Sequence, residues 1–463
     1  MSLRGSAMKL ELPGELYELA QRVKGCGAAL YVVGGAVRDA LLGYDYSDID
    51  ICSELLPEKI EELCGGLEIK CSTVNKWLGT VKLGIESNEV EYTAFRKESY
   101  PKDGSHEPIE VKTGVDIKED AFRRDFSVNA LYYDILSGEI SDPTSKGLAD
   151  LKRKTLSTTT ENPEDIIEDD ALRMLRFCRL CAELGFFADK KTADAIRKNA
   201  DKIFHISEER IYSELCKILL SDEKYCAPKA GVMRGLKLLN GCGLFKRIFP
   251  EFLRAEEIGK SVYHKHNVLY HSFDVCAHMP SELSMRFSGL LHDIGKCEAY
   301  FKNGNMHNHE VIGEELSYNR LIALKAPKKL AKTVSETVRY HMFDLTGTAK
   351  DVTVRAHAVK MGEEQFLRLI TMRAADVYGS GRYTEGEIYT VNKFKRIYAE
   401  MKREGAPFTL KELNISGKDL EEAGIAKGKQ IGIVLNRLLI AAAKRPKINK
   451  KERLINLARG MKA

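Results

Sequence analysis

Residues 32–51 read VVGGAVRDALLGYDYSDIDI, and the reading of this stretch decides the fold. A β-type run ends in Gly34 and Gly35, a short helical pattern carrying Arg38 and Asp39 follows, and a second β-type run delivers Asp48 and Asp50. Two glycines at a strand end let backbone come close to a phosphate, and the helix that follows turns its N-terminus toward the anion. Alternate residues of a strand share a face, so Asp48 and Asp50 are expected to present two carboxylates to one point while Ile49 packs behind. Two hard oxygen ligands on one face suit Mg²⁺, which keeps waters and substrate phosphates in its shell. A metal held this way clamps attacking and leaving oxygens, so the stretch reads as a nucleotidyl-transfer site.

Outward from it, residues 28–150 alternate short β-like runs (ALYVVGG, DIDICS, GTVKLGI, VEYTAF, ALYYDI) with turn signals and interspersed helical patterns. That is an α/β head, placed at 1–150. From about residue 151 the periodicity becomes helical: IIEDDALRMLRFCRLCAELGF repeats its apolar residues at helical spacing, and ISEERIYSELCKILLS opens on Ser207 as a helix cap. The expected order is a helical neck over 151–220, a helical body over 221–260, a histidine-rich helical segment over 261–380 and a basic helical tail over 381–463. The fold class expected is α+β, mostly helical.

Composition bounds the function. At 463 residues and 44% apolar the chain exceeds one common domain. No run approaches the roughly 20 apolar residues of a membrane span and no signal-peptide order opens the chain, so a cytoplasmic protein without a membrane partner is expected. Eleven scattered cysteines then read as reduced thiols, with Cys178 and Cys181 as buried helical residues, since no second pair completes a zinc site. The net charge of +5 is modest, but the runs APKKLAK, KFKRIY and AKRPKINKKER fit contact with nucleic acid.

GGAVRDALLG followed by DIDI, with RRDFSVNAL at 123–131, resembles the DNA polymerase β-type nucleotidyltransferases. Within them, DDALRMLRFCRLCAELGF and ISEERIYSELCKIL resemble the nucleotide-reading and neck motifs of the class II tRNA nucleotidyltransferase and bacterial poly(A) polymerase family. The resemblance implies Mg²⁺ on the catalytic pair Asp48 and Asp50, with Gly35, Arg38 and Arg123 on the incoming nucleotide. Arginine suits that task because its rigid fork of donors matches phosphate. Asp39 is expected to be structural, Asp125 and Asn129 to position the site, and Glu91 to stand as a third carboxylate or on a solvated edge strand. Asp170 and Arg173 are three apart on an expected helix and share a face, where one accepts and the other donates; in the family this pair reads cytosine or adenine. Arg176 and Arg179 continue the spacing toward phosphate or base. The position before the reading acid, usually Glu, is Asp169 here. FRKESYPKDGSHEPIEV resembles the loop that switches full CCA-adding members from cytosine to adenine. The partners implied are tRNA, CTP and ATP, and the activity is CCA addition with release of pyrophosphate. The competing readings are a poly(A) polymerase and a phosphohydrolase with a vestigial head.

Eight of the eleven histidines fall between His264 and His341. FSGLLHDIGKCEAY carries His292 and Asp293, with His278 upstream and Asp376 downstream in MRAADVYG. This resembles the HD phosphohydrolase superfamily and implies one divalent ion on His278, His292, Asp293 and Asp376. His271 is an alternative first ligand, and His309 or His341 could extend the site to a second metal. Imidazole with carboxylate suits a transition metal such as Mn²⁺ or Ni²⁺.

Overall fold

The structure is a computed structural model that describes residues 9–75, 77–85, 88–101, 108–225, 230–258, 267–380 and 385–461. It divides into two compact units, 1–248 and 249–463.

The first unit is built on a seven-stranded sheet. Its strands are β1 (Tyr31–Val33), β2 (Ile49–Ser53), β3 (Ile69–Asn75), β4 (Thr80–Ile85), β5 (Asn88–Ala94), β8 (Tyr132–Asp134) and β9 (Ile140–Ser141), in the spatial order β3-β4-β5-β2-β1-β8-β9. Two small sheets lie apart: β6 (Arg96–Ser99) with β7 (Glu110–Thr113), and β10 (Thr155–Leu156) with β11 (Phe187–Ala188). Val32, Ile51, Val90 and Tyr92 are buried at the centre of the large sheet, as period-two alternation in half-buried strands requires. β2 runs antiparallel to β1 and parallel to β5, so its last residues are pinned from both sides. Helices follow from residue 163: Pro163–Asp169, Leu172–Leu184, Glu208–Leu219 and Ala230–Gly241.

Packing runs across two of the expected limits. The body proposed for 221–260 does not stand alone, because Ala230–Gly241 packs directly on Leu172–Leu184 of the neck. Glycines make that approach: a Cβ on Gly235 would lie 3.0 Å from the Ala182 Cβ. Beyond residue 248 the chain joins the second unit, where Glu251 pairs with Arg320 at 2.8 Å. The limit proposed at 380/381 is also crossed by one continuous core, in which Val354, Phe366 and Leu369 pack with Phe394, Ile397 and Leu438. The reason is the 18-residue helix Glu363–Ser380. Its first half enters that core, and its second half packs Met372 and Ala375 against Val275, Met279 and Met285. Among the described residues no helix is long and apolar enough to cross a membrane.

Candidate functional site

In the first unit the site begins at the end of β1. Gly34 has φ +83° and ψ −137°, a backbone region that L side chains rarely adopt, and a Cβ there would lie 3.5 Å from Asp50 Oδ2. The turn opens the helix Gly35–Leu42 directly beside the acid. Register explains the meeting: Val33 pairs with Asp50 across β1 and β2, and Asp50 pairs with Glu91 across β2 and β5. Asp48 and Asp50 are exposed on either side of buried Ile49. Glu91 is therefore a same-face neighbour of Asp50. Burial of the carboxyl, followed by repulsion from Glu91 and Asp48, pushes Asp50 up to about 6 against the attraction of Arg124, although the residue as a whole keeps an exposed outer surface.

A cationic wall faces the acid. Asp120, fully buried, accepts from Arg123 Nη2 at 2.7 Å, from Arg124 Nη2 at 2.9 Å and from the Tyr132 hydroxyl at 2.6 Å. Burial opposes its charge, yet Arg124 and Arg123 hold Asp120 well below the usual carboxylate range. Arg123 also lies 3.4 Å from Glu98, which Arg96 and Tyr100 hold as well. A cavity of about 340 Å³ is lined by Gly34, Gly35, Asp50, Arg123, Arg124, Asp125, Asn129, Asp170, Arg173, Arg176 and Arg210, with Arg96, Glu98, Tyr100 and Leu172 completing its wall. Asp50 also borders an adjoining hollow of about 270 Å³ with Asp48, Arg38 and Arg179.

Three expected nucleotide contacts are engaged within the protein. Arg38 is 4% exposed and donates to Asp39 at 2.8 Å, to Asn129 at 2.7 Å and to the Tyr225 hydroxyl at 2.8 Å, so it braces Asn129 and does not face the main cavity. Arg176 clasps Asp125 through Nε at 2.8 Å and through Nη2, holding it down at about 2 against the cost of burial. Arg179 sits between Glu214 at 2.7 Å and Glu183 at 3.3 Å.

Asp170 and Arg173 do not lie on one continuous helix. The chain breaks at Asp170, whose φ of −151° is extended, and the Asp170 carboxylate takes the Leu172 N–H at 2.9 Å to start the next helix. Arg173 donates to the Ile166 carbonyl at 3.1 Å, to Asp169 at 3.3 Å and to the Arg123 carbonyl at 2.9 Å. Both nevertheless line the cavity. The hairpin of β6 and β7 carries part of the segment read as a switching loop, whose residues 102–107 lie outside the described residues.

The second unit gathers a separate cluster. Among the described residues, two sets of potential metal ligands have their ligand atoms within 4.8 Å of one another: His271, His292 and Asp376, and Asp293, His309 and His341. All come from helices or their ends. His271 and His292 bring their Nε2 atoms to 3.2 Å, and His309 and His341 to 3.1 Å. The Nδ1 atoms of His292, His309 and His341 face backbone carbonyls at 2.9, 2.8 and 2.6 Å, and a carbonyl only accepts. Those rings therefore carry a proton on Nδ1 and turn their Nε2 atoms inward, an arrangement that suits ligation of a cation. Asp293 stands between the sets, with Oδ2 3.2 Å from His292 and Oδ1 3.3 Å from His309. Burial opposes its charge, but His292 and Lys296 hold it well below the usual range, while burial and neighbouring imidazoles push His341 well below its own.

His278 is not part of this cluster; His271 is. Both lie on one face of Val268–His278, but seven residues of helix separate them by about 10 Å along the axis. His278 instead bonds the Asp274 carbonyl at 2.8 Å and stacks its ring on Tyr378.

Residues 30–157 match the poly A polymerase head domain, 185–256 the probable RNA and SrmB-binding site of polymerase A, and 261–380 the HD domain. A CCA-adding enzyme of Ligilactobacillus salivarius (strain UCC118) is 29% identical over 446 residues, covering 95% of each chain. That of Bacillus pumilus (strain SAFR-032) is 37% identical over 248 residues, 51% of this chain and 60% of its own length. The solved Bacillus stearothermophilus CCA-adding enzyme in complex with CTP superposes with a TM-score of 0.66 at 26% identity, over 96% of this chain and 97% of the other. The chain carries a poly A polymerase head domain, a polymerase A RNA-binding region and an HD domain, and is similar to CCA-adding enzymes along nearly its whole length. The Thermotoga maritima CCA-adding enzyme complexed with tRNA, at 18% identity and a TM-score of 0.62, shares the fold.

The groups at the head cavity that the sequence analysis passed over are Asp120, Arg124, Glu98 and Arg210. Arg124 had a signal, since it stands beside Arg123 in RRDF. Asp120 also had one, standing three and four residues before Arg123 and Arg124, whereas Glu98 and Arg210 are brought to the cavity by packing.

Proposed function

We propose that this chain is a CCA-adding enzyme, extending the 3′ end of tRNA with C, C and A from CTP and ATP without a nucleic-acid template. One observation carries the proposal: a single cavity is lined by Asp50, by the Gly34–Gly35 turn at a helix start, by Arg123 and Arg124, and by Asp170 and Arg173 as an acceptor and a donor. One relative named a CCA-adding enzyme matches nearly end to end, and similar solved structures are named as complexes with CTP, ATP or tRNA.

Asp48 and Asp50 would hold Mg²⁺, which when bound offsets the charge that develops on the α-phosphate and the attacking oxygen. The Gly34–Gly35 turn leaves room for the triphosphate against the helix start, and Arg123 and Arg124 supply cationic groups fixed by Asp120. The terminal ribose hydroxyl attacks the α-phosphorus and gives up its proton to solvent as a P–O bond forms there, and the bond to pyrophosphate breaks with its electron pair on the leaving oxygen. Asp170 accepts from the amino group that cytosine and adenine both carry, where uracil and guanine present a carbonyl. Arg173 donates to the adjoining ring atoms.

Purified protein, tRNA lacking its CCA end and the four nucleotides offered singly and together provide the test. Two cytosines followed by one adenine, then arrest, is the expected product. A long adenine tail would assign poly(A) polymerase instead.

The second unit supports a second reading, a metal-dependent phosphohydrolase, because His271, His292 and Asp376, and beside them Asp293, His309 and His341, are imidazole and carboxylate sets whose chemistry would suit a divalent transition metal. When bound, such a metal lowers the pKa of a water for attack on phosphoester. The substrate proposed is a 2′,3′-cyclic phosphate, the damaged end that blocks nucleotide addition.

A further inference from the structure

Asp50 and Asp48 are not held in the same way. Asp50 lies within β2 and pairs with Val33 on one side and Glu91 on the other, whereas Asp48 precedes Ile49, the first paired residue of that strand. Its place is set by the connection of residues 43–47, which leaves the helix Gly35–Leu42 at Gly43 with φ +76°, in the left-handed region. Two tyrosines of that connection are pegged. The Tyr44 ring packs on the Tyr225 ring with centroids 4.8 Å apart, and the Tyr46 hydroxyl accepts the Glu11 N–H at 2.7 Å and donates to the Glu11 carbonyl at 3.2 Å. Glu11 is fixed in turn by its neighbour Leu10. That residue is 1% exposed, gives its N–H to the hydroxyl of Tyr133 in β8 at 3.3 Å and takes the Tyr17 hydroxyl on its carbonyl at 3.3 Å.

A path of named bonds thus runs from the sheet through residues 10–11 to the Tyr46 hydroxyl, and two residues of chain, at most about 7 Å, lead from there to Asp48. A phenol hydroxyl donates one proton and accepts on its lone pairs, so it serves both polar groups of Glu11 at once; phenylalanine would serve neither. Bonds this close to water add little to stability. Their consequence is positional, because Mg²⁺ demands near-ideal octahedral geometry and tolerates a misplaced ligand poorly. Tyr46 borders the adjoining hollow together with Asp48 and stands outside the lining of the main cavity, so it bears on the metal and not on the base.

We propose that Tyr46 is a positioning residue for the nucleotidyl-transfer metal: it acts through Asp48, holding the 43–47 connection against Glu11 so that the Asp48 carboxylate meets the ion together with that of Asp50. This rests on the reading of Asp48 as a metal ligand. Asp50 needs no such device, since β1 and β5 hold it from both sides.

The test is the Mg²⁺ dependence of CTP incorporation into tRNA lacking its CCA end, by the full chain and by Tyr46→Phe, Glu11→Pro and Asp48→Asn. Tyr46→Phe is expected to raise the Mg²⁺ concentration for half-maximal rate about tenfold, the scale of losing an outer partner of a metal ligand, while KM for CTP at saturating Mg²⁺ stays within about twofold. Glu11→Pro removes the N–H from the other side of the same contact. It should shift the dependence in the same direction, add nothing when combined with Tyr46→Phe, and report the effect should Tyr46→Phe melt early. Mn²⁺ bound in the presence minus the absence of a non-hydrolysable CTP analogue, read by electron paramagnetic resonance, counts ions of the head site apart from those of the second unit; this increment should weaken in Tyr46→Phe and vanish in Asp48→Asn. A rate lowered in equal proportion at every Mg²⁺ concentration, or a dependence unchanged in Tyr46→Phe and Glu11→Pro while Asp48→Asn loses the increment, overturns the role of Tyr46 alone. An increment kept by Asp48→Asn at parental affinity overturns the reading of Asp48 and the role of Tyr46 with it.

Discussion

Asp50 is the residue on which the head site turns, because register sets it beside both Gly34 and Glu91. Replacing a metal-binding carboxylate by an amide removes a charge and a hard ligand together. Asp48→Asn or Asp50→Asn is therefore expected to slow addition of both C and A by about 10³-fold or more at saturating Mg²⁺, with tRNA affinity retained in a filter-binding assay. Asp125 makes a different residue-scale prediction. Its folded-state value, held down at about 2 by Arg176, lies below that of an unfolded aspartate at about 3.9. The sign follows: this contribution is fully present above pH 4 and is lost as pH falls toward 2. By linkage it amounts to about 2.6 kcal/mol. The difference in urea midpoint between the parent protein and Asp125→Asn should be constant from pH 5 to 7 and shrink below pH 4; a difference that does not change with pH contradicts the pairing.

At the scale of elements, two helices meet closely at the histidine–aspartate cluster. A Cβ on Gly295 would lie 2.1 Å from the His309 carbonyl oxygen and 2.7 Å from the Gly313 N, so Gly295–Asn303 and His309–Ala323 approach only because residue 295 has no side chain. His309 opens the second of these helices, and Asp293 stands two residues before Gly295. Gly295→Ala should push the helices apart, cost about 1–3 kcal/mol by overpacking and lower the metal content after Mn²⁺ loading. Elemental analysis and urea unfolding read the two effects, and unchanged metal content would contradict the role of this contact. Nucleotide addition should be unaffected, since the head site belongs to the other unit.

At the scale of the molecule, the two candidate sites are built in separate compact units. The two activities should then be separable. With Mn²⁺ or Ni²⁺ the parent protein is expected to hydrolyse 2′,3′-cyclic AMP, and His292→Ala should remove this while CCA addition in Mg²⁺ persists. Less than about a tenth of an equivalent of metal after reconstitution, together with no hydrolysis, would leave the cluster without this chemistry.

What the sequence determined by itself was whatever depends on neighbours along the chain. Period-two alternation puts Asp48 and Asp50 on one side of Ile49, Gly34 permits the turn, and helical spacing marks the long neck helix, so the class of fold and the place of the head site were legible. The tertiary structure decided which charged groups remain open to a ligand, because that depends on partners the spacing does not specify. Arg38 is engaged internally by Tyr225, 187 residues away, and Arg179 by Glu214 of another helix. His271 and His278 share a helix face and are equivalent in sequence, yet only His271 lies level with Asp376 on the packed neighbour, at 3.0 Å. Asp170 leaves its expected helix because the Leu172 N–H and Arg210 claim its carboxylate. In each case a buried or half-buried polar group takes the partner that folding brings to it, since leaving it unpaired costs more than abandoning the local pattern.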